Sequence, residues 1–213
     1  MKRFLLQPVL ISVLIILSST GLFAECLDCV TQPELLLDTT DVAELLAEGN
    51  GEIVYLVHWP HDVAQVDFLR SVDAGLTWSV PIRIDSLIAS TIGSLNLAAD
   101  GTGTVYAVWV TSRRHIRVRV SPDQGVTWPS PEVMVAAFVD IGSGSGVRLL
   151  AAPGGQAWIF WRDGASTSDL HLWITATTDS GANWSPPVRV DSATTEPIKA
   201  YSPVLEPSGG LAT

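Results

Sequence analysis

Three times along the chain, a short run alternates apolar and polar residues and then breaks at a turn. Val66 and Phe68 precede the first break, Ile116 and Val118 the second, Leu172 and Ile174 the third. Alternation of period two marks a strand with one face toward a core. Upstream of each lies a denser apolar run: Ile53–Val57, Val105–Trp109 and Ala157–Trp161. Before those come Gly49-Asn50-Gly51, Asp100-Gly101-Thr102-Gly103 and Pro153-Gly154-Gly155, each a turn signal.

The breaks share one pattern, S/T-x-D-x-G-x-x-W. The copies are Ser71-Val-Asp73-Ala-Gly75-Leu-Thr-Trp78, Ser121-Pro-Asp123-Gln-Gly125-Val-Thr-Trp128 and Thr177-Thr-Asp179-Ser-Gly181-Ala-Asn-Trp184, with the aspartates 50 and then 56 residues apart. Each Trp is followed three residues later by Pro81, Pro131 or Pro187 and then by another short alternating run. Pro81-Ile-Arg83-Ile-Asp85-Ser86 and Pro187-Val-Arg189-Val-Asp191-Ser192 are close copies, and Pro131-Glu-Val-Met-Val a looser one. Each unit therefore reads strand, glycine turn, strand, variable loop, strand, Asp turn, strand. Four antiparallel strands per repeat of this length predict a propeller blade, with blades at about 42–86, 92–136 and 146–192.

The residues of the turn have structural tasks. The carboxylates of Asp73, Asp123 and Asp179 accept from backbone N–H groups of the hairpin. The Ser or Thr before each adds a local bond, and the glycine takes a positive φ without a Cβ clash. The Trp buries a large apolar face beneath the turn. An aspartate that recurs in every unit is expected to be structural, since a catalytic acid is needed once.

These motifs resemble the sialidase (neuraminidase) superfamily and the wider set of BNR or Asp-box proteins, over nearly all of the chain beyond its first residues. The resemblance implies an all-β chain: a partial, sialidase-like β-propeller of about three four-stranded antiparallel blades plus a fragment. It implies, for an active member, an exo-α-sialidase with an arginine triad, a Tyr–Glu nucleophile pair and an Asp acid/base. A shared fold does not carry its function with it. The Phe/Tyr-Arg-Ile-Pro motif that usually carries the first arginine is missing. Tyr55 and Tyr106 occupy equivalent repeat positions, as packing residues would, and Tyr201 has only Glu206 near it in sequence. No catalytic residue is assigned.

Substrate-binding candidates are fewer. Arginine is densest at Arg113, Arg114, Arg117 and Arg119, where Arg117 and Arg119 share a strand face. They are expected either to cradle an anionic sugar or to lie on a solvated outer face. Arg162 and Asp163 follow Trp161 at a strand–loop junction, and Asp62 sits in the comparable loop of the first unit. His58, His61, His115 and His171 lack metal spacing, and the two cysteines, Cys26 and Cys29, make no four-ligand site. No metal or cofactor is expected.

The first residues change the setting. Lys2 and Arg3 precede an apolar run, Leu10–Leu17, and Ala24 ends a small-residue stretch, the layout of a secretory signal peptide over 1–24. The run is short for a spanning helix of about 20 residues. A secreted or periplasmic protein is expected, over a membrane anchor or a lipoprotein modified at Cys26. Without 1–24 the chain holds ten basic and twenty-two acidic residues, a net of −12. That charge disfavours nucleic acid and anionic membranes as partners; a glycan or glycoprotein partner is what the resemblance implies.

The ends read as parts of further blades. Residues 25–41 include Pro33-Glu-Leu-Leu-Leu-Asp38, similar to a fourth strand and expected to close the ring. Residues 200–213 match the start of a fourth blade. The chain reads either as a truncated or degenerate exo-α-sialidase-family protein lacking a complete active site, or as a non-catalytic glycan- or protein-binding propeller. Should the chain be complete, self-assembly of copies into a ring is expected.

Overall fold

A carboxylate clasp at each Asp turn and a β-branched, aromatic content in the runs before it favour antiparallel hairpins, and hairpins are what form. The computed structural model describes residues 42–48, 52–59, 65–85, 92–111, 114–137, 139, 146–164, 170–191 and 202–204. The N-terminal segment 1–41, with Cys26, Cys29 and the expected closing strand, lies outside them, as do Asp62, Arg113, Tyr201 and most of 200–213.

Among the described residues, twelve strands form three four-stranded sheets. Sheet 1 is β1 (Val42–Glu48), β2 (Ile53–Trp59), β3 (Asp67–Ser71) and β4 (Ile82–Arg83). Sheet 2 is β5 (Ile92–Ala99), β6 (Val105–Thr111), β7 (Ile116–Ser121) and β8 (Val133–Ala136). Sheet 3 is β9 (Arg148–Ala152), β10 (Gln156–Asp163), β11 (His171–Thr177) and β12 (Val188–Arg189). Each is a meander whose hydrogen-bonded order follows the chain, and every pairing is antiparallel. The chain is thus all-β, in three open sheets. The first strands lie side by side, β1 against β5 and β5 against β9.

The strand runs explain the stacking. In β6, Val105, Ala107 and Trp109 join a core with Tyr55, Val57 and Phe68 of sheet 1. The alternate residues Tyr106, Val108 and Val110 join a second core with Leu149, Ile159 and Trp161 of sheet 3. A strand buried on both faces reads as a continuous apolar run, as Val105–Val110 does. Polar side chains lace the inner strands: Val147 N–H donates to Ser94 Oγ at 3.2 Å and Leu149 N–H to Asn96 Oδ1 at 2.8 Å.

The fourth strands of sheets 1 and 3 are shorter than their alternating sequences predict. The ladder of β4 covers two residues; beyond it Ile84 N–H still reaches Val66 O at 2.8 Å. The Asp85 carboxylate then accepts Val66 N–H at 2.9 Å, a side chain completing the strand end. Arg83 holds that carboxylate through Nε at 2.9 Å, and Arg189 holds Asp191 at 3.0 Å in sheet 3. Among the described residues, no helix is long and apolar enough to cross a membrane.

Candidate functional site

The Asp turns connect β3 to β4, β7 to β8 and β11 to β12, and repeat one hydrogen-bond set. Ser71 Oγ donates to Asp73 Oδ1 at 2.7 Å and accepts Gly75 N–H at 2.8 Å. The same carboxylate accepts Thr77 N–H at 2.8 Å and Thr77 Oγ1–H at 2.6 Å. Ser121, Asp123, Gly125 and Thr127 reproduce this set, as do Thr177, Asp179, Gly181 and Asn183. The residue at the seventh position, Thr77, Thr127 or Asn183, was not assigned a task from sequence. Its signal was present: all three are short polar donors.

Donors to the ionised form hold these carboxylates low. Bonds from the Thr77 side chain and backbone, then Ser71, bring Asp73 down to about 2. Asn183 and Thr177 do the same for Asp179, also about 2. Burial opposes ionisation at Asp123, but bonds from Thr127 and Ser121 outweigh it and lower its pKa too. A folded pKa below the unfolded value gives stability that is complete above the unfolded pKa and lost as pH falls through the folded one. The urea midpoint is therefore expected to stay level down to about pH 4 and to fall steeply from there toward pH 2. Asp73→Asn with Asp179→Asn should flatten that fall; an unchanged acid limb would place the sensitivity elsewhere.

The tryptophans reach further than their own hairpins. Trp128 of sheet 2 packs edge-on against Phe68 of sheet 1, ring centroids 4.8 Å apart. Trp184 of sheet 3 packs against the core shared with sheet 2. The glycines follow suit. A Cβ on Gly125 would lie 2.3 Å from the Phe68 ring, and one on Gly181 2.6 Å from Val120 Cγ2. Each turn of sheets 2 and 3 therefore keys its sheet onto the preceding one. The residue before each glycine is also left-handed: Ala74, Gln124 and Ser180 have φ of 59°, 59° and 57°. From Gln124 a further bond crosses the junction, Arg70 Nη2 donating to its Oε1 at 3.0 Å.

Arg117 and Arg119 share a half-buried face, as the alternation predicts. It looks toward sheet 1. Arg119 donates to three backbone carbonyls, Ile84 at 2.8 Å, Trp128 at 2.7 Å and Ser130 at 2.9 Å. Arg117 pairs with Glu132, whose side chain is buried. Arg119 thus braces sheet 2 against sheet 1, whereas Arg117 is held by a partner in the turn of its own sheet.

A polar group lies at the opposite end of sheet 3 from its Asp turn. His171 Nδ1 stands 2.8 Å from Asp191 Oδ2, and Asp163 is the cross-strand neighbour of His171. Burial works against the Asp191 charge, yet hydrogen bonds with His171 and Arg189 prevail and its pKa is lowered. An imidazole oriented by a carboxylate can hold or pass a proton. At the same end, Arg162 lies two residues along β10 from Phe160, whose partner on β9 is Arg148. Arg148 and Arg162 thus point from one face of adjacent strands, and Arg148 is exposed. Arg148 is not singled out by the sequence, because β9 carries no repeated letters.

The described tyrosines are not placed for chemistry. Tyr55 and Tyr106 are fully buried. Burial, then the Asp100 charge, pushes Tyr106 up to about 12. No group of three or more His, Cys, Asp or Glu side chains that could hold a metal is gathered among the described residues.

No family model matches the chain, and no curated protein matches it. Among solved structures it has a distant, low-identity resemblance to several β-sheet proteins, glycosidases among them. A Hadza microbial sialidase matches at 18% identity and a TM-score of 0.45, over 67% of this chain and 36% of that one. The catalytic domain of the Coprinopsis cinerea GH62 α-L-arabinofuranosidase matches at 10% identity and a TM-score of 0.46, over 72% and 52%. The NanB sialidase of Streptococcus pneumoniae matches at 16% identity and a TM-score of 0.41, over 60% and 19%. The chain spans about half or less of each of these proteins.

Proposed function

We propose that the chain is part of a secreted, sialidase-like Asp-box β-propeller that binds an acidic glycan without cleaving it. The observation that carries the fold reading is the same carboxylate clasp, bond for bond, at the same connection of three successive meanders. Sheets so clasped and stacked, with their first strands side by side, are the parts of a propeller. In this reading residues 1–24 are the signal peptide and 25–41 an N-terminal segment with the closing strand. Residues 42–213 hold the blades, at about 42–86, 92–136 and 146–192, and the start of a fourth at 200–213.

What favours binding without turnover is the placing of the two described tyrosines. A tyrosine nucleophile must reach its sugar, and Tyr55 and Tyr106 are sealed in the core. Arg148 and Arg162 offer guanidinium groups to a carboxylate, with Asp163 and, in the comparable loop of the first unit, Asp62 as hydroxyl acceptors. The brace at Arg119 and the pair of Arg117 with Glu132 take no part.

The test is a pair of measurements on the purified full chain. A sialylated oligosaccharide should bind, with affinity lowered more than about tenfold by Arg148→Ala or Arg162→Ala. A fluorogenic sialoside should show no enzyme-dependent release. Equal binding of the asialo sugar would sink the acidic-glycan reading, and release of sialic acid would restore the enzyme.

A further inference from the structure

Both junctions between sheets use the same parts. The turn of the later sheet offers a glycine and a tryptophan to the trailing face of the earlier one: Gly125 and Trp128 to Phe68, Gly181 to Val120 and Trp184 to the core beside it. At the two ends of the described stack, each half of that junction recurs alone. In sheet 1 a Cβ on Gly75 meets only its own Trp78, at 3.8 Å, and Trp78 is less buried than Trp128. In sheet 3, Ile174 and Ala176 stand where Phe68 and Arg70 stand in sheet 1, counted back from the turn. Val188 and Val190 take the places of Ile82 and Ile84. There Ile84 is 0% exposed, whereas Val188 and Val190 are 58% and 53% exposed.

We propose that copies of this chain associate head to tail, the first Asp turn of one copy seating on the outer strands β11 and β12 of another. The interface continues the two already present inside the chain. Its side chains agree: where Gln124 meets Arg70 at the first internal junction, the residues brought together between copies are Ala74 and Ala176. Two methyl groups leave no buried polar atom without a partner. Val54, Leu56 and Leu69, on the side of sheet 1 away from sheet 2, are buried within the copy. The contact therefore rests on the turn, with its exposed Leu76 and Val80, rather than on the whole sheet. A contact between two different surfaces closes into a ring or runs on as a filament.

Sedimentation of the full chain at rising concentration tests it. The expected result is a dimer whose dissociation constant rises more than about tenfold in Val190→Asp, because a carboxylate cannot be buried unpaired. Met134→Asp, an equally exposed apolar site on β8, should leave it unchanged. Ala176→Asp should dissociate the dimer and Ala74→Arg added to it should restore association, since the two charges meet only head to tail. Larger assemblies with the same pattern of mutations would equally uphold the contact. A monomer at every concentration would overturn the inference and leave the face to a further sheet of a polypeptide. Equal sensitivity to Met134→Asp would also overturn it. Glycan binding by a monomer would show the proposed function surviving alone.

Discussion

Gly125→Ala is expected to destabilise the protein by about 2–5 kcal/mol, while Gly75→Ala, at the same motif position, costs about 1–2 kcal/mol. Both glycines are left-handed, with φ of +79° and +88°. An alanine at either position pays the strain of that conformation, about 1–2 kcal/mol. Only at Gly125 does the new methyl collide, 2.3 Å from the Phe68 ring. That ring cannot step aside, since Trp128 packs on it at 4.8 Å and Tyr55 at 5.9 Å. Overpacking of this kind adds about 1–3 kcal/mol. Gly181→Ala should fall between, because Val120 Cγ2 at 2.6 Å belongs to a smaller side chain. Urea unfolding of the three variants measures the order directly. Equal losses would mean that the glycines serve the backbone alone and that the turns do not key one sheet to the next. Against a total stability of about 5–15 kcal/mol, the Gly125 change is enough to leave a fraction of chains unfolded.

The contrast between Gly75 and Gly125 also marks the limit of reading the sequence. The order of strands was legible because period-two burial and the turn motif recur together, and the second, third and fourth strands of each described sheet fall where those signals lie. The clasp of Asp73, Asp123 and Asp179 was legible from chemistry, since a short acid before a glycine has few other uses in a hairpin. What the motif letters hide is the neighbour. Gly75 and Gly125 are the same letter in the same pattern, yet one faces its own tryptophan and the other a ring from another sheet. Trp128 reads as a lid for its hairpin, but its ring also packs edge-on against Phe68, 60 positions upstream. Local patterns specify a meander; stacking is a long-range property that three identical motifs cannot distinguish.

The same limit governed the site. Alternation placed Arg117 and Arg119 on one face correctly. It could not say that this face is half-buried, because polar residues on a strand ordinarily mark the solvent side. In stacked sheets both faces are interior, so a polar residue there is either a ligand-binding group in a gap or a strut satisfied by carbonyls. Arg162 is a candidate from sequence through its place at a strand–loop junction. Arg148 came from no repeated letter, and only the register of β9 on β10 brings it beside Phe160 and near Arg162.

Arg119→Met separates the brace from the binding groups. Methionine keeps much of the aliphatic packing and removes the guanidinium. Three carbonyls, on Ile84, Trp128 and Ser130, then lose their donor. At about 1 kcal/mol for each bond lost, the variant is expected to lose about 3 kcal/mol of stability. The loss falls on the junction between sheets 1 and 2, since Ile84 belongs to the chain after β4 and the other two carbonyls to the turn of sheet 2. Arg148→Met, at an exposed position, should stay within about 0.5 kcal/mol of the parent. The two variants should exchange places in a binding assay run where both are folded. Arg119→Met keeps its affinity for the sialylated sugar, and Arg148→Met loses it. If Arg119→Met were as stable as the parent but unable to bind, the guanidinium would belong to the ligand and the brace would be an arrangement of the free chain alone.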